Sequence, residues 1–275
     1  MTSENGGGAF VLIYILSVIV IALPIMIAEV FIGRHGKQNP VDSLKFAANE
    51  SSSFNFLEVD NDLNRIRSKK QSYSNSDDYS NWQLVGWAGI IAGILILSFY
   101  SVIAGWTISY IFKAASGVFN SISPEQSKSI FDNLVSDPEK LLAWHTIFMF
   151  LTGYIVAKGV KGGLEKAVKI LIPGLFILLL GLAIYSFNLD GFQDGLKYMF
   201  IPDLEKIKPD VILSAMGMAF FSLSIGMGSL MIYGSYLAKE SSITEVTSVV
   251  AFADTFVAIL AGIIIFPMVF TFNLD

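Results

Sequence analysis

A polar interruption within a long apolar stretch is the feature of this sequence best suited to chemistry. Residues 220–229 read FFSLSIGMGS, so serines and glycines alternate with apolar residues near the middle of the stretch. A helix broken at membrane depth frees backbone carbonyls that coordinate cations, and its half-helix amino ends face anionic groups. The alternative is a face of small residues for close helix packing, which the four-residue spacing of Ser222 and Gly226 also fits.

A lone carboxylate is the second candidate. Asp254 is the only ionisable residue within the apolar stretch 246–273. A charge deep in a bilayer is costly and usually faces a cavity, a partner or an ion. No Lys or Arg lies in the core of another apolar stretch, so a hard cation such as sodium is the natural partner of Asp254. A protonated, structural carboxyl is the alternative. Glu29 lies close to Arg34 in the sequence and is expected to pair with it locally.

The composition excludes several other kinds of protein. There is no cysteine, which removes disulfides, thiolate metal sites and cysteine nucleophiles. The net charge of −5 provides no basic surface for nucleic acid. Only 15% of the residues are charged, whereas soluble domains carry about 25%. A soluble enzyme is therefore excluded, and no Ser-His, paired-carboxylate or His-Glu-x-x-His pattern favours an intramembrane enzyme.

Six apolar stretches must position these residues, each long enough to cross a bilayer, which takes about 20 residues. Lipid-exposed backbone must satisfy its hydrogen bonds within each segment, so we interpret all six as helices. The expected helices are 9–33, 81–112, 141–160, 170–187, 211–238 and 246–273. The predicted fold class is therefore an all-α, polytopic helical protein, with multiple passes through the cytoplasmic membrane and the lipid bilayer as its surroundings.

Basic residues in the loops predict the orientation. The first, third and fifth loops together carry twice as many Lys and Arg residues as the second and fourth. Loops rich in Lys and Arg stay in the cytoplasm, so the long polar loop at about 37–80 is cytoplasmic and both chain ends are external. An external amino terminus normally follows a signal peptide or a preceding helix, so we expect a missing upstream helix. The segment 123–140 is expected to form a short surface helix.

Taken in order, these and other motifs resemble the neurotransmitter:sodium symporter family, in its bacterial amino-acid transporter branch. The resemblance extends over nearly the whole chain apart from the insert at about 50–80. The resembling segments are 5–10 with Tyr14, Pro24, Glu29 and 33–36 (second helix), Tyr100 with 105–107 (third), Gly163 with Pro173 (fifth), 195–196 with 202–203 (external loop), 222–228 (broken sixth helix) and 254–262 with Pro267 (seventh).

The resemblance implies a twelve-helix fold of two inverted five-helix repeats, of which this chain resembles helices two to seven. It implies sodium-coupled symport of an amino acid across the cytoplasmic membrane. Because helix one and helices eight to twelve have no counterpart among the resembling segments, we expect a fragment that is inactive alone and needs a missing remainder. The alternative is a transport-incompetent membrane interaction protein that pairs with another chain.

The resemblance implies substrate-binding roles for particular residues. Tyr100 would bind the substrate carboxylate, Phe221 would close over the substrate, and Ile96 and Met227 would line its side-chain pocket. The flexible Met227 favours an apolar amino acid of some size. The full substrate set implied is Ile96, Tyr100, Phe221, Ser222, Ser224 and Met227.

The resemblance also implies the ions and the moving parts. Ser222 and Asp254 would bind sodium. Chloride is not expected, since Tyr14 and Ser222 match the chloride ligands of relatives but Met218 and Ala258 do not. The residues implied in conformational change are Gly163, Pro173, Gly226 and Gly228.

Overall fold

Apolar helices form the frame of the protein, seen in a computed structural model that describes residues 2, 6–54, 81–120, 122–238 and 240–272. In chain order they are α1 Gly8–Ser17, α2 Leu23–Gly36, α3 Pro40–Phe54, α4 Trp82–Ala115, α5 Pro124–Val135, α6 Pro138–Ala157, α7 Glu165–Ser186, α8 Phe192–Phe200, α9 Pro209–Ser222, α10 Ser229–Tyr236 and α11 Ile243–Phe272. Short π-helical turns at Val18–Ala22 and Val160–Leu164 join α1 to α2 and lead into α7.

Five helical segments in the described part of the chain are long and apolar enough to cross a membrane. They are Gly8–Gly36, Trp82–Ala115, Pro138–Ala157, Val160–Ser186 and Ile243–Phe272. This confirms the predicted all-α membrane fold class. The fifth expected span, 211–238, is divided into α9 and α10 at the polar interruption that the sequence pointed to.

The expected polar loop at 37–80 also needs a correction, because it begins with the helix α3. The Asn39 side chain accepts a hydrogen bond from the Asp42 amide at 3.0 Å, and Pro40 follows as the first helical residue. An Asn cap followed by Pro is a helix-start signal that needs no apolar periodicity. The remaining residues of that loop, 55–80, lie outside the described residues.

The segment 123–140 forms more than one short helix. Ser123 and Gln126 cap α5 reciprocally, and the Asp137 side chain accepts hydrogen bonds from the amides at the start of α6. The expected surface helix therefore ends at Val135, and residues from Pro138 onward belong to a spanning helix. The physical reason is a second helix start: Asp137 is the cap and Pro138 the first residue of α6, directly after the short connection from α5.

The chain divides into two compact units, of which the first contains residues 1–91 and 178–275. Its core is formed by α1, α2, α9, α10 and the start of α11, with Phe10, Met26, Ala215 and Leu230 among the buried side chains. The helices α2 and α10 pack backbone to backbone. A Cβ atom on Gly33 would overlap the Met231 carbonyl oxygen, so only glycine permits this approach.

The second unit contains residues 92–177. Within it, α6 packs closely on α4, since a Cβ atom on Gly105 would lie 2.9 Å from the His145 backbone nitrogen. The surface helix α5 also lies against α4, where the rings of Trp106 and Phe131 meet edge to face at 5.5 Å. Leu134 of α5 is only 2% exposed, so this side chain anchors the short helix.

Candidate ion and substrate site

The break between α9 and α10 is the structural centre of the candidate site. Residues 223–228 are not helical, and three of them have positive φ: Ser224 at 56°, Gly226 at 83° and Gly228 at 73°. Glycine adopts this conformation freely, whereas a serine there is uncommon in proteins. The helical hydrogen-bond ladder is thus interrupted over six residues in the middle of an apolar segment.

Glu29 anchors this break from the neighbouring helix. Its Oε1 atom accepts a hydrogen bond from the Gly226 amide at 2.7 Å, and the side chain is 7% exposed. The expected local pairing of Glu29 with Arg34 is wrong, because Arg34 instead donates to the Ser241 carbonyl at 2.6 Å. Residues five apart on a helix point about 140° away from each other, which explains why the two side chains do not meet.

Tyr14 links three helices through its hydroxyl group. The hydroxyl lies 3.1 Å from Ser222 Oγ and donates a longer bond to Asp254 Oδ2 at 3.4 Å. Because a phenol has one proton, the Ser222 hydroxyl donates to Tyr14 when Tyr14 donates to Asp254. The chain Ser222–Tyr14–Asp254 therefore joins α9, α1 and α11. From the sequence, the only role considered for Tyr14 was that of a chloride ligand, as in relatives. A tyrosine in an apolar span nevertheless already suggests a polar partner.

A cavity of about 440 Å³ opens beside these groups. Its walls include Ser222, Ser224 and Asp254, three of the predicted site residues, together with Ser229 and Thr247. The volume falls in the range of small-molecule sites, which is about 300–1,000 Å³. In the described part of the chain no three His, Cys, Asp or Glu side chains cluster as metal ligands. A cation here would therefore rely on hydroxyl, carbonyl and single-carboxylate oxygens, which are hard ligands.

The other predicted substrate residues occupy different places. Phe221 lies in the last turn of α9 and is 37% exposed, and Met227 lies within the break. Ile96 and Tyr100 lie one turn apart on α4 in the second unit, where Tyr100 is 45% exposed and packs at 4.9 Å on Phe99. That Tyr100 binds the substrate carboxylate and that Ile96 lines the side-chain pocket stay predictions.

The predicted conformational residues lie where helices are irregular. Gly226 and Gly228 lie in the break. Gly163 lies in the π-helical turn Val160–Leu164, where a Cβ atom would overlap the Ile155 carbonyl oxygen. Pro173 lies inside α7, which continues through it. A π-helical turn beside a span often marks a functional site, but movement at Gly163 and Pro173 stays a prediction.

Comparisons with known proteins agree on one family. The profile of the sodium:neurotransmitter symporter family matches residues 128–273. The sodium-dependent transporter YhdH of Bacillus subtilis is 35% identical over 273 residues, covering 99% of this chain and 54% of the relative. A sodium-dependent transporter of Haemophilus influenzae is 32% identical over 279 residues, covering 100% of this chain and 56% of the relative.

A more distant relative carries a more specific name. The bovine sodium-dependent neutral amino acid transporter B(0)AT2 is 23% identical over 299 residues, covering 98% of this chain and 36% of the relative. The chain spans about half the length of the bacterial relatives it matches. These relatives are named as transporters and not as enzymes, and the apolar helices make the chain a multi-pass protein of the cell membrane. The chain belongs to the sodium:neurotransmitter symporter family.

Proposed function

We propose that this chain forms part of a sodium-coupled symporter that carries an apolar amino acid across the cell membrane. The observation that carries this proposal is the Ser222–Tyr14–Asp254 hydrogen-bond chain beside a broken helix and a cavity. It unites a single carboxylate with hydroxyl groups at membrane depth. The named functions of the relatives support sodium coupling.

The sodium ligands within this chain are Ser222 and Asp254. Asp254 is partly buried near the middle of α11, and no Lys or Arg lines the cavity that it faces. An ionised carboxylate there is stabilised by a bound cation, because a cation offsets the cost of its desolvation. Tyr14 acts as a positioning residue, since its hydroxyl joins the Asp254 carboxylate to Ser222.

The substrate site is centred on the break. Ser222 and Ser224 supply polar groups in the cavity, and Phe221 and Met227 flank the break with apolar surface. For Tyr100 and Ile96 of α4, the proposal keeps the roles that the resemblance implies: a hydroxyl for the substrate carboxylate and an apolar contact for its side chain. A neutral, apolar amino acid is the substrate class that this combination favours, and the name of the bovine relative supports a neutral amino acid.

Transport requires the site to open on alternate sides of the membrane. Gly226 and Gly228 have positive φ angles within the break. We assign to these two glycines the movement of α9 relative to α10. Gly163 lies in the π-helical turn that leads into α7, and Pro173 lies inside α7, where it cannot donate a helical hydrogen bond. We assign opening toward the cytoplasm to this segment, because the charge of its lysines keeps that loop inside.

The test is a substitution series at Asp254 in the protein expressed from its own genomic locus and placed in lipid vesicles. Asp254→Ala should abolish sodium-dependent amino-acid uptake and sodium binding, while Asp254→Asn, which keeps an oxygen ligand without the charge, should bind sodium more weakly. The matched control is Asp190→Ala, which removes an exposed carboxylate outside the site. Sodium affinity that survives Asp254→Ala would contradict the assignment.

Chloride provides a separate prediction. Asp254 places a carboxyl group close to Tyr14 and Ser222, and Met218 and Ala258 offer no hydrogen-bond donor side chain for an anion. We therefore expect sodium-driven uptake to be unchanged when chloride is replaced by gluconate. Stimulation of uptake by chloride would overturn this prediction and would point to an anion ligand elsewhere.

A further inference from the structure

A second cavity lies in the second unit, away from the residues assigned above. Its volume is about 510 Å³, and it is formed where α4 ends and where α5 and α6 meet it. Its walls include Phe112, Lys113, Ser116, Asn133, Lys140 and Trp144. We call this cavity the interfacial pocket. None of its residues has a part in the proposed transport site.

Two lysines give the interfacial pocket its charge. Lys113 lies in the last turn of α4, and Lys140 lies in the first turn of α6, so both belong to the same end of two spanning helices. Lys140 pairs with Asp137 at 2.7 Å. Lys113 lies 5.3 Å from the Tyr110 ring centre and makes no ion pair within the described residues. Two ammonium groups against one carboxylate leave an excess of positive charge.

The opposite wall of the interfacial pocket is apolar. The rings of Phe112 and Trp144 stack with centroids 5.6 Å apart, and buried Leu134 completes this side. Phe112 is 61% exposed on a membrane-spanning helix, so the pocket edge borders the surface that lipid covers. Tryptophan beside lysine at a helix end is typical of the headgroup level of a bilayer.

We propose that the interfacial pocket binds an anionic phospholipid by its headgroup phosphate. Lys113 and Lys140 neutralise the phosphodiester, Asn133 and Ser116 provide polar contacts, and the Phe112–Trp144 wall packs against the glycerol and upper acyl chain. A lysine ammonium group binds a phosphate as a point charge, on whichever side of the membrane it lies. A free anion would leave the aromatic wall without a partner, and a neutral lipid would leave Lys113 without a counter-charge.

The experiment measures lipid retention by the full chain in nanodiscs of phosphatidylcholine with or without phosphatidylglycerol. We expect the wild-type chain, after release from the nanodisc, to retain phosphatidylglycerol in native mass spectra. Lys113→Gln and Lys140→Gln should each weaken retention by about fivefold, the value of one lysine near an anionic membrane surface. The matched control Lys128→Gln, an exposed lysine of α5 outside the pocket, should retain the lipid fully.

Three results would overturn the proposal. One is equal loss of phosphatidylglycerol from Lys113→Gln and Lys128→Gln. Another is displacement of the lipid by millimolar inorganic phosphate, which would identify a free-anion site. The third is equal retention of phosphatidylglycerol and phosphatidylcholine by the wild-type chain, a measurement that needs no variant to fold. Circular dichroism checks the helix content of each variant, and Lys113→Arg should restore retention because it keeps the charge.

Discussion

At the scale of single residues, two carboxylates within the apolar spans, Asp254 and Glu29, have different contacts. Asp254 receives the Tyr14 hydroxyl and borders the cavity, whereas Glu29 receives the Gly226 amide of the broken segment. We propose that the first binds a cation, and the second replaces a lost helical hydrogen bond. Glu29 is therefore a positioning residue for the break. Its other oxygen, Oε2, is buried without a partner among the described residues.

A prediction at this scale concerns the Gly226 amide. Glu29→Gln keeps an oxygen acceptor in place, whereas Glu29→Ala leaves the amide without its bond. A hydrogen bond to a charged group contributes about 1.5–3 kcal/mol, so amide exchange in the break should quicken by about tenfold or more in Glu29→Ala. Hydrogen exchange measured by mass spectrometry checks this. Equal protection in Glu29→Ala and the wild type would show that the bond does not hold the break.

At the scale of helices, close packing depends on glycine at defined points. Gly33 of α2 and Gly234 of α10 each face a backbone carbonyl of the other helix with no room for a Cβ atom. Gly89 of α4 similarly approaches the Gly226 carbonyl, where a Cβ atom would lie 2.8 Å away. The half-helix α10 is only eight residues long, so these contacts, rather than its own hydrogen bonds, keep it in place.

Gly33→Ala tests this packing. The added methyl group would overlap the Met231 carbonyl oxygen, so α2 and α10 must separate, at a cost of about 1–3 kcal/mol in the free energy of unfolding. The matched control is Gly181→Ala in α7, where nothing lies within 4 Å of the added atom. The control should stabilise its helix by about 0.5–1 kcal/mol. Thermal unfolding in detergent compares the two, and similar melting temperatures would refute the packing argument.

The cap of α6 makes the stability of that helix sensitive to acid. The hydrogen bond from Lys140 holds the pKa of Asp137 below its ordinary value. A lowered folded-state pKa stabilises the fold above the unfolded pKa of about 3.9, and this stabilisation is lost as the pH falls through the folded-state value. Asp137→Asn keeps the cap without a titratable group. We expect its melting temperature to fall less than that of the wild type below about pH 4.

At the scale of the whole molecule, the spanning helices and charged loops determine the orientation in the membrane. The apolar spans expose large side chains such as Ile170, Ile177 and Phe150, each at least 70% exposed, as a lipid-facing surface requires. Lys and Arg are concentrated in alternate loops, which predicts the loop after α10 inside and the α5 segment outside.

The sequence has no cysteine, so single cysteines report this orientation without a background. Ser127→Cys in α5 should react with a membrane-impermeant maleimide on intact cells. Glu240→Cys, in the exposed turn before α11, should react only after the membrane is made permeable. The unlabelled wild-type chain is the control. Labelling in the opposite order would reverse the orientation.

The sequence by itself determined the class of the protein and much of its candidate site. Length and hydropathy indicate spanning helices because a bilayer demands about 20 apolar residues with satisfied backbones. Isolated polar residues in such spans, Ser222 and Asp254, stand out because burying them is costly. Helical geometry alone would have predicted that Glu29 does not pair with Arg34, since residues five apart on a helix point in different directions.

Only the tertiary structure decided which polar groups meet. Tyr14 lies 208 residues from Ser222 and 240 residues from Asp254 in the sequence, and no local pattern joins them. The bond from the Gly226 amide to Glu29 likewise depends on how α2 packs against the break. Periodicity reports which residues can be buried, whereas contact between distant helices depends on backbone approach at glycines and on the pairing of buried donors with acceptors.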